Sequence, residues 1–196
     1  MPTVPFPVIP GVEAVREGAS VTTGVMRASF ANVVRPKPSM SDPAKLEYSI
    51  VLIVPKSDPV VNILKAATKD AIAKKWPNKV PGNLRNPVRD CSEKDYEGFD
   101  DDCFYITCRT TDVPGVIDQA MTKITDPNVL YSGCFVRARI GAFGYDKAGN
   151  VGVAFGLQHV QKLADGPALT GRKPAEEVFG PVVAPGDPFA QSPLFD

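Results

Sequence analysis

The stretch from residue 132 to 163 constrains this chain more than any other. From Cys134 to Tyr145 the residues alternate in kind. The even positions Cys134, Val136, Ala138, Ile140 and Ala142 are small or apolar. The odd positions Phe135, Arg137, Arg139, Phe143 and Tyr145 carry rings and guanidinium groups. A period of two is the signature of a β-strand, whose side chains leave alternate faces. Asp146–Asn150, "DKAGN", then supplies a glycine for the positive φ of a tight turn. Val151, Val153, Phe155 and Leu157 resume the alternation on one face. The pattern predicts two strands joined as a hairpin, with an adequate apolar face that needs no help from the rings.

Three more strands and one helix are legible upstream. Residues 21–35 alternate and are expected to form a strand that "RPKPS" ends, since proline cannot donate to a ladder. In that strand Met26, Ala28, Phe30, Asn32 and Val34 are expected on one face, with Arg27, Ser29, Ala31 and Val33 on the other. "LEYSIVLIV", residues 46–54, is β-branched and apolar and reads as a central strand. Asp58 suits a helix N-cap and Pro59 the first helical position. Val60, Ile63, Leu64, Ala67, Ala71 and Ile72 keep helical spacing until Pro77 stops the run. Residues 78–102 read as loop. "CFYITCRTT", residues 103–111, alternates again, with Phe104, Ile106 and Cys108 facing one way and Tyr105, Thr107 and Arg109 the other.

Twenty prolines crowd toward the two ends. They predict three regions: an extended arm over 1–20, a compact domain over 21–165, and a flexible tail over 166–196. "MPTVPFPVIPG" lacks the basic and apolar regions of a secretion signal, and no apolar run reaches the ~20 residues of a membrane span. The expected setting is therefore a reducing one inside a cell, with no membrane partner. Cys91, Cys103, Cys108 and Cys134 contain no C-x-x-C pair and read as free, buried thiols.

Enzyme signatures are scarce. "GPALTGRK", residues 166–173, places Arg172 and Lys173 where a Walker loop needs lysine and a hydroxyl residue, so it is discarded. Asp100, Asp101 and Asp102 read as a solvated loop rather than a metal site. His159 has no cysteine or serine in a recognisable arrangement and reads as an ordinary strand residue. No catalysis, cofactor or metal is expected.

The face bearing rings and arginines has two readings. Bases stack on rings at roughly 1–3 kcal/mol each, and guanidinium groups meet phosphates, which suits single-stranded nucleic acid. Alternatively the rings cover a second core and the arginine stems run past them. The stretch alone does not choose. Five strands, one main helix after the second strand and a final hairpin suit a mainly β fold, a small five-stranded barrel of the OB type. The net charge is zero, but the tail carries two basic and four acidic side chains, so the rest of the chain is two charges more positive than the whole. In that tail Glu176, Glu177, Asp187, Phe189, Leu194, Phe195 and Asp196 form an acidic, aromatic end that suits docking to a basic, apolar pocket.

Residues 130–169 resemble the signature of phage single-stranded DNA-binding proteins of the DUF2815 type, which are similar in fold to the T7-like phage protein. The residues that carry it are Tyr131, Gly133, Tyr145, Asp146, Gly149, Asn150, Gly152, Val153, Phe155, Gly156, Leu157, Val160, Gln161, Asp165 and Gly166. "LEYSIVLIVPK" and "KWP" extend the likeness to about residues 20–170. The resemblance implies an OB-fold that binds single strands without sequence preference in phage replication, recombination and repair, in the host cytoplasm. Arg27, Tyr105, Arg109, Arg137, Arg139, Phe143 and Tyr145, the rings and arginines of that mixed face and of the strands that repeat its pattern, are the face expected to touch DNA, with Lys37, Lys45 and Lys147 adding loop contacts to phosphates. The tail would recruit replication or recombination proteins or compete for the groove, and self-association as a homodimer is left open. The competing expectation is a non-catalytic phage structural or protein-interaction module on the same barrel.

Overall fold

The structure is a computed structural model and describes residues 4–39, 42–147 and 149–169. In chain order its elements are β1 (Val15–Glu17), β2 (Ser20–Thr22), β3 (Met26–Pro38), β4 (Leu46–Pro55) and α1 (Val60–Lys75). There follow β5 (Arg89–Asp90), a 3-10 turn at Cys91–Glu93, β6 (Cys103–Thr110), β7 (Gly115–Ile117), β8 (Phe135–Lys147) and β9 (Asn150–Ala164). The protein is mainly β, with one α-helix among the described residues.

The expected hairpin is β8–β9, paired from Phe135↔Ala164 to Lys147↔Asn150. Gly149 takes φ +80° in its turn. β8 also pairs with β3 at Met26↔Val136, and β9 runs parallel to β6 at Cys108↔Phe155. Since β3 pairs with β4 and β4 with β6, the strands β8, β3, β4, β6 and β9 close into a ring. The ring's inner face is the core: Met26, Ala28, Ile50, Leu52, Ile106, Cys108, Val136, Ile140 and Phe155 are all buried there. Burial of this much aliphatic surface is the main stabilising term. β4 reads as an unbroken apolar run because both its faces are covered: Ile50 and Leu52 by the core, Ile53 by a second cluster with Cys91, Phe99, Cys103 and Tyr105.

α1 packs against β8, β2 and β9 through Val60, Leu64, Ala67 and Ala71. Asp58 Oδ1 accepts the Val60 N–H at 2.8 Å, which is the capping chemistry expected of it. The helix is assigned one residue later than expected, within the ordinary fraying of a first turn.

Three features differ from the sequence reading. First, the arm contains structure: β1 and β2 form a hairpin that pairs with β8 at Val21↔Ile140. Its strands are three residues each, too short for periodicity to show. Second, β3 continues through Arg35–Pro38, pairing Pro38 with Leu46. Proline is tolerated because β3 pairs with β8 only at Met26 and Arg27, leaving its later residues with β4 on one side. Third, β3 slips register between Ser29 and Asn32, where Phe30 adopts φ +46°. Phe30 therefore leaves the face it would share with Met26 and Ala28 and is half exposed.

Residues 165–169 cross the turn before β8 as a strap. Leu169 N–H donates to Ser132 O at 2.8 Å, and the Tyr131 hydroxyl lies 2.9 Å from Gly166 O. Gly133, at φ +118°, permits the crossing: a Cβ there would sit 2.1 Å from Pro167 O. Gly133→Ala is therefore expected to lower Tm by at least about 5 °C. Gly82→Ala, which meets nothing within 4 Å, should leave it within about 1 °C, both read by differential scanning fluorimetry.

Candidate nucleic-acid interface

Three paired strands give the ring a second face, on the outside. Across β3, β4 and β6 the register aligns Arg27 with Ile53 and Tyr105, Ser29 with Val51 and Thr107, and Asn32 with Ser49 and Arg109. Lys37 stands opposite Glu47 at the far end. Residues in such rows leave the sheet on one side. β5 extends this surface by pairing Arg89 with Tyr105, and the chain that follows carries Tyr96 and Phe99 back toward it.

The result is a groove of about 470 Å³ lined by side chains of β3, β4, β5, β6 and the 94–99 segment. Its aromatic content is a ladder. Phe30 meets Tyr96 edge-on at 5.3 Å, Tyr96 meets Phe99 at 5.4 Å, and Phe99 tilts against Tyr105 at 5.2 Å. The outer two rungs, Phe30 and Tyr96, are half exposed, whereas Phe99 and Tyr105 are buried. Its cations are Lys37, Arg89, Lys94 and Arg109. Arg109 pairs with Glu47 at 3.0 Å and Arg89 with Glu93 at 2.9 Å, both in contact with solvent. Exposed pairs of this kind are worth about 0–1 kcal/mol, so they orient the guanidinium groups without locking them. Arg89 also lies 5.4 Å over the Tyr105 ring.

The sequence-expected residues do not form one surface. Lys37, Tyr105 and Arg109 line the groove, with Lys37 on β3 rather than in a loop. Arg27 heads the same face but is 3% exposed. It donates to Pro167 O at 3.0 Å and Gly133 O at 3.4 Å, so it clamps the strap instead of reaching solvent. Burial lowers its pKa against the opposing pull of Asp100 and Glu97. Phe135, expected on the odd face, is buried and stacks edge-on with Phe6.

Arg137 and Arg139 lie elsewhere. With His159 they line a hollow of about 360 Å³ between β2, β7, β8 and β9 that shares no residue with the groove. Arg137 donates to Gln161 at 2.7 Å; Arg139 pairs with Glu17 at 2.7 Å and donates to Thr22 at 3.1 Å. Phe143 borders a third hollow beside α1, Tyr145 sits on the β8–β9 hairpin opposite Gly152, and Lys147 is at its tip. Lys45 precedes β4 and pairs with Asp42 at 3.5 Å. These residues do not share one face because the closed ring turns the outward side of β8 and β9 away from that of β3, β4 and β6. Glu176, Glu177, Asp187, Phe189, Leu194, Phe195 and Asp196 lie outside the described residues.

The residues that sequence reasoning missed are Phe30, Arg89, Lys94 and Tyr96. Phe30 is brought outward by a bulge, and the other three stand in a stretch without periodicity. The sole signal was composition, aromatic and basic residues among the acids of 85–99. All four cysteines are free and buried, and among the described residues no group of three or more His, Cys, Asp or Glu side chains is placed to hold a metal ion. No helix among them is long and apolar enough to cross a membrane.

Comparisons with known proteins bear on the family and the fold. The family model described as "Enterobacter phage Enc34, ssDNA-binding protein" matches residues 19–189. The match is to the Enc34 family and does not speak to the DUF2815 grouping. A putative protein p50 of Acyrthosiphon pisum secondary endosymbiont phage 1 is 31% identical over 157 residues, 74% of this chain and 84% of that protein. Among solved structures, the single-stranded DNA-binding protein of bacteriophage Enc34 in complex with ssDNA is similar in fold, with TM-score 0.69 at 18% identity, over 84% of this chain and 98% of that one. The single-stranded DNA-binding protein of bacteriophage T7 is similar too, with TM-score 0.57 at 16% identity, over 79% of this chain and 97% of that one.

The turn that sets Arg89 is itself held by a charge. Asp90 bonds Lys56 at 2.6 Å and accepts from the Ser92 N–H at 3.1 Å and hydroxyl at 2.9 Å. These contacts, Lys56 first, lower its pKa from 3.8 to about 2. A depressed carboxylate stabilises the fold above its unfolded pKa and ceases to as the pH falls through its folded one. Carboxyl NMR should therefore find Asp90 titrating near pH 2. Its contribution should be complete above about pH 4 and lost toward pH 2, and Lys56→Met should move the midpoint back up.

Proposed function

We propose, from the premise that the chain belongs to the family of the Enterobacter phage Enc34 ssDNA-binding protein, that it binds single-stranded DNA without sequence preference in the groove of β3, β4 and β6. One observation carries the reading: two half-exposed rings, Phe30 and Tyr96, stand in contact in a groove with four cations. Rings accept any base by stacking, and cations meet any phosphate, so the pairing of the two favours single strands and tolerates sequence. The Enc34 relative of known structure, similar in fold, is described in complex with ssDNA.

The five-stranded ring with its helix after β4 is read as an OB-fold barrel. The DNA-binding unit comprises residues 21–165 together with the β1–β2 hairpin joined to β8. Its biological setting is phage DNA replication, recombination and repair in the host cytoplasm, where it coats exposed strands and performs no catalysis. The acidic, aromatic C-terminal segment serves to recruit partner proteins. Arg137, Arg139, Phe143, Tyr145 and Lys147 lie off the groove, so a short oligonucleotide is held without them, as it is without the buried Arg27.

The test is fluorescence anisotropy with labelled oligo-dT on the full chain. Tight binding at low salt that weakens as salt rises is expected. Phe30→Ala and Tyr96→Ala should each cost about tenfold or more in affinity. Arg89→Ala and Arg109→Ala should each reduce the salt slope by about one. The double variant Arg137→Ala, Arg139→Ala should bind a short oligo within about twofold of the parent. No binding at low salt overturns the reading and leaves the non-catalytic protein-interaction module.

A further inference from the structure

One buried polar atom in the groove wall lacks an explanation in the free protein. Tyr105 is 5% exposed, and its hydroxyl has no hydrogen-bond partner among the described residues. Folded proteins satisfy most buried hydroxyls, because leaving one unpaired forfeits the bond it made to water. Nothing about the packing of this ring needs an oxygen. A phenylalanine would make the same tilted contact with Phe99 and lie under Arg89 in the same way. The titratable groups that face the hydroxyl are Arg89, Glu93, Cys91 and Tyr96, and none bonds it.

Its position suggests what it is kept for. Tyr105 stands at the inner end of the ladder, and Tyr96, two rungs out, is half exposed. Both rings line the same groove. An exposed ring turns over rapidly compared with binding, so Tyr96 can swing aside and admit a planar group to the space beside Phe99.

We infer that the inner end of the groove is a nucleobase subsite, in which one base stacks against Tyr96 and the Tyr105 hydroxyl hydrogen-bonds the polar edge of that base. The inference rests on the groove being the DNA site. A hydroxyl is both donor and acceptor, and every base edge offers one or the other. The subsite therefore registers that a base is present rather than which base it is. It distinguishes a true single strand from any other polyanion, a distinction that Lys37, Arg89, Lys94 and Arg109 cannot make.

The test compares the full-length parent with Tyr105→Phe on labelled oligo-dT and on an abasic oligonucleotide of the same length, by anisotropy at several salt concentrations. The variant removes only the unpartnered oxygen, so its melting temperature should be equal or higher. Its affinity for oligo-dT should fall about fivefold with an unchanged salt slope, and its affinity for the abasic oligo should stay within about twofold. A loss under about twofold on oligo-dT, an equal loss on both, or a lower melting temperature overturns the subsite while leaving the groove as the DNA site. Failure of the parent itself to bind oligo-dT overturns both.

Discussion

Closure of the sheet is the constraint on which the rest of this structure depends. The β8–β9 hairpin meets β3 through Met26↔Val136 and β6 through Cys108↔Phe155. A five-strand sheet left open would expose two edges and one apolar face. Closed, it hides that face as a core and leaves every strand an outside. What each outside presents depends on where the strand lies in the ring. β3, β4 and β6 lie side by side, so their outward rows align into one concave surface. β8 and β9 turn away from it, which places Arg137 and Arg139 in a hollow of their own with His159.

The groove is built from chemistry that a neutral chain can supply locally. Its arginines are held by Glu47 and Glu93 in exposed pairs of small net value. In the proposed function these pairs keep the guanidinium groups extended until a phosphate replaces the carboxylate, with counterion release supplying the drive. The same groove is buttressed from behind. Ile53, Cys91, Phe99, Cys103 and Tyr105 form a second cluster, and Leu169 of the strap packs onto it. The strap is in turn clamped by Arg27 and by the approach that Gly133 allows. An arginine that periodicity places on the outer face is thus structural, because the chain returns over it after β9.

Much of the fold was legible in the sequence. Alternation located the inward residues of β6, β8 and β9, and the Asp58 cap with its apolar spacing located α1. These signals are local and set by backbone periodicity. Less of the site could be read, because its decisive features are not periodic. Phe30 faces out through a register slip at a positive φ, and Tyr96 comes from a loop whose path is set by packing. One residue of the mixed pattern, Tyr105, belongs to a second core and lines a groove at once. Which outward residues share a surface is a property of the closed ring, and no single strand records it.

The central claim is that the β3–β4–β6 face, and not the β8–β9 face, is the surface that takes a single strand. Chemical-shift mapping of the full chain with a short oligo-dT tests it most directly. The account predicts that the largest backbone shifts fall on Phe30, Asn32, Arg89, Lys94, Tyr96 and Arg109. Largest shifts on Arg137, Arg139 and His159, with the groove residues unmoved, would contradict it.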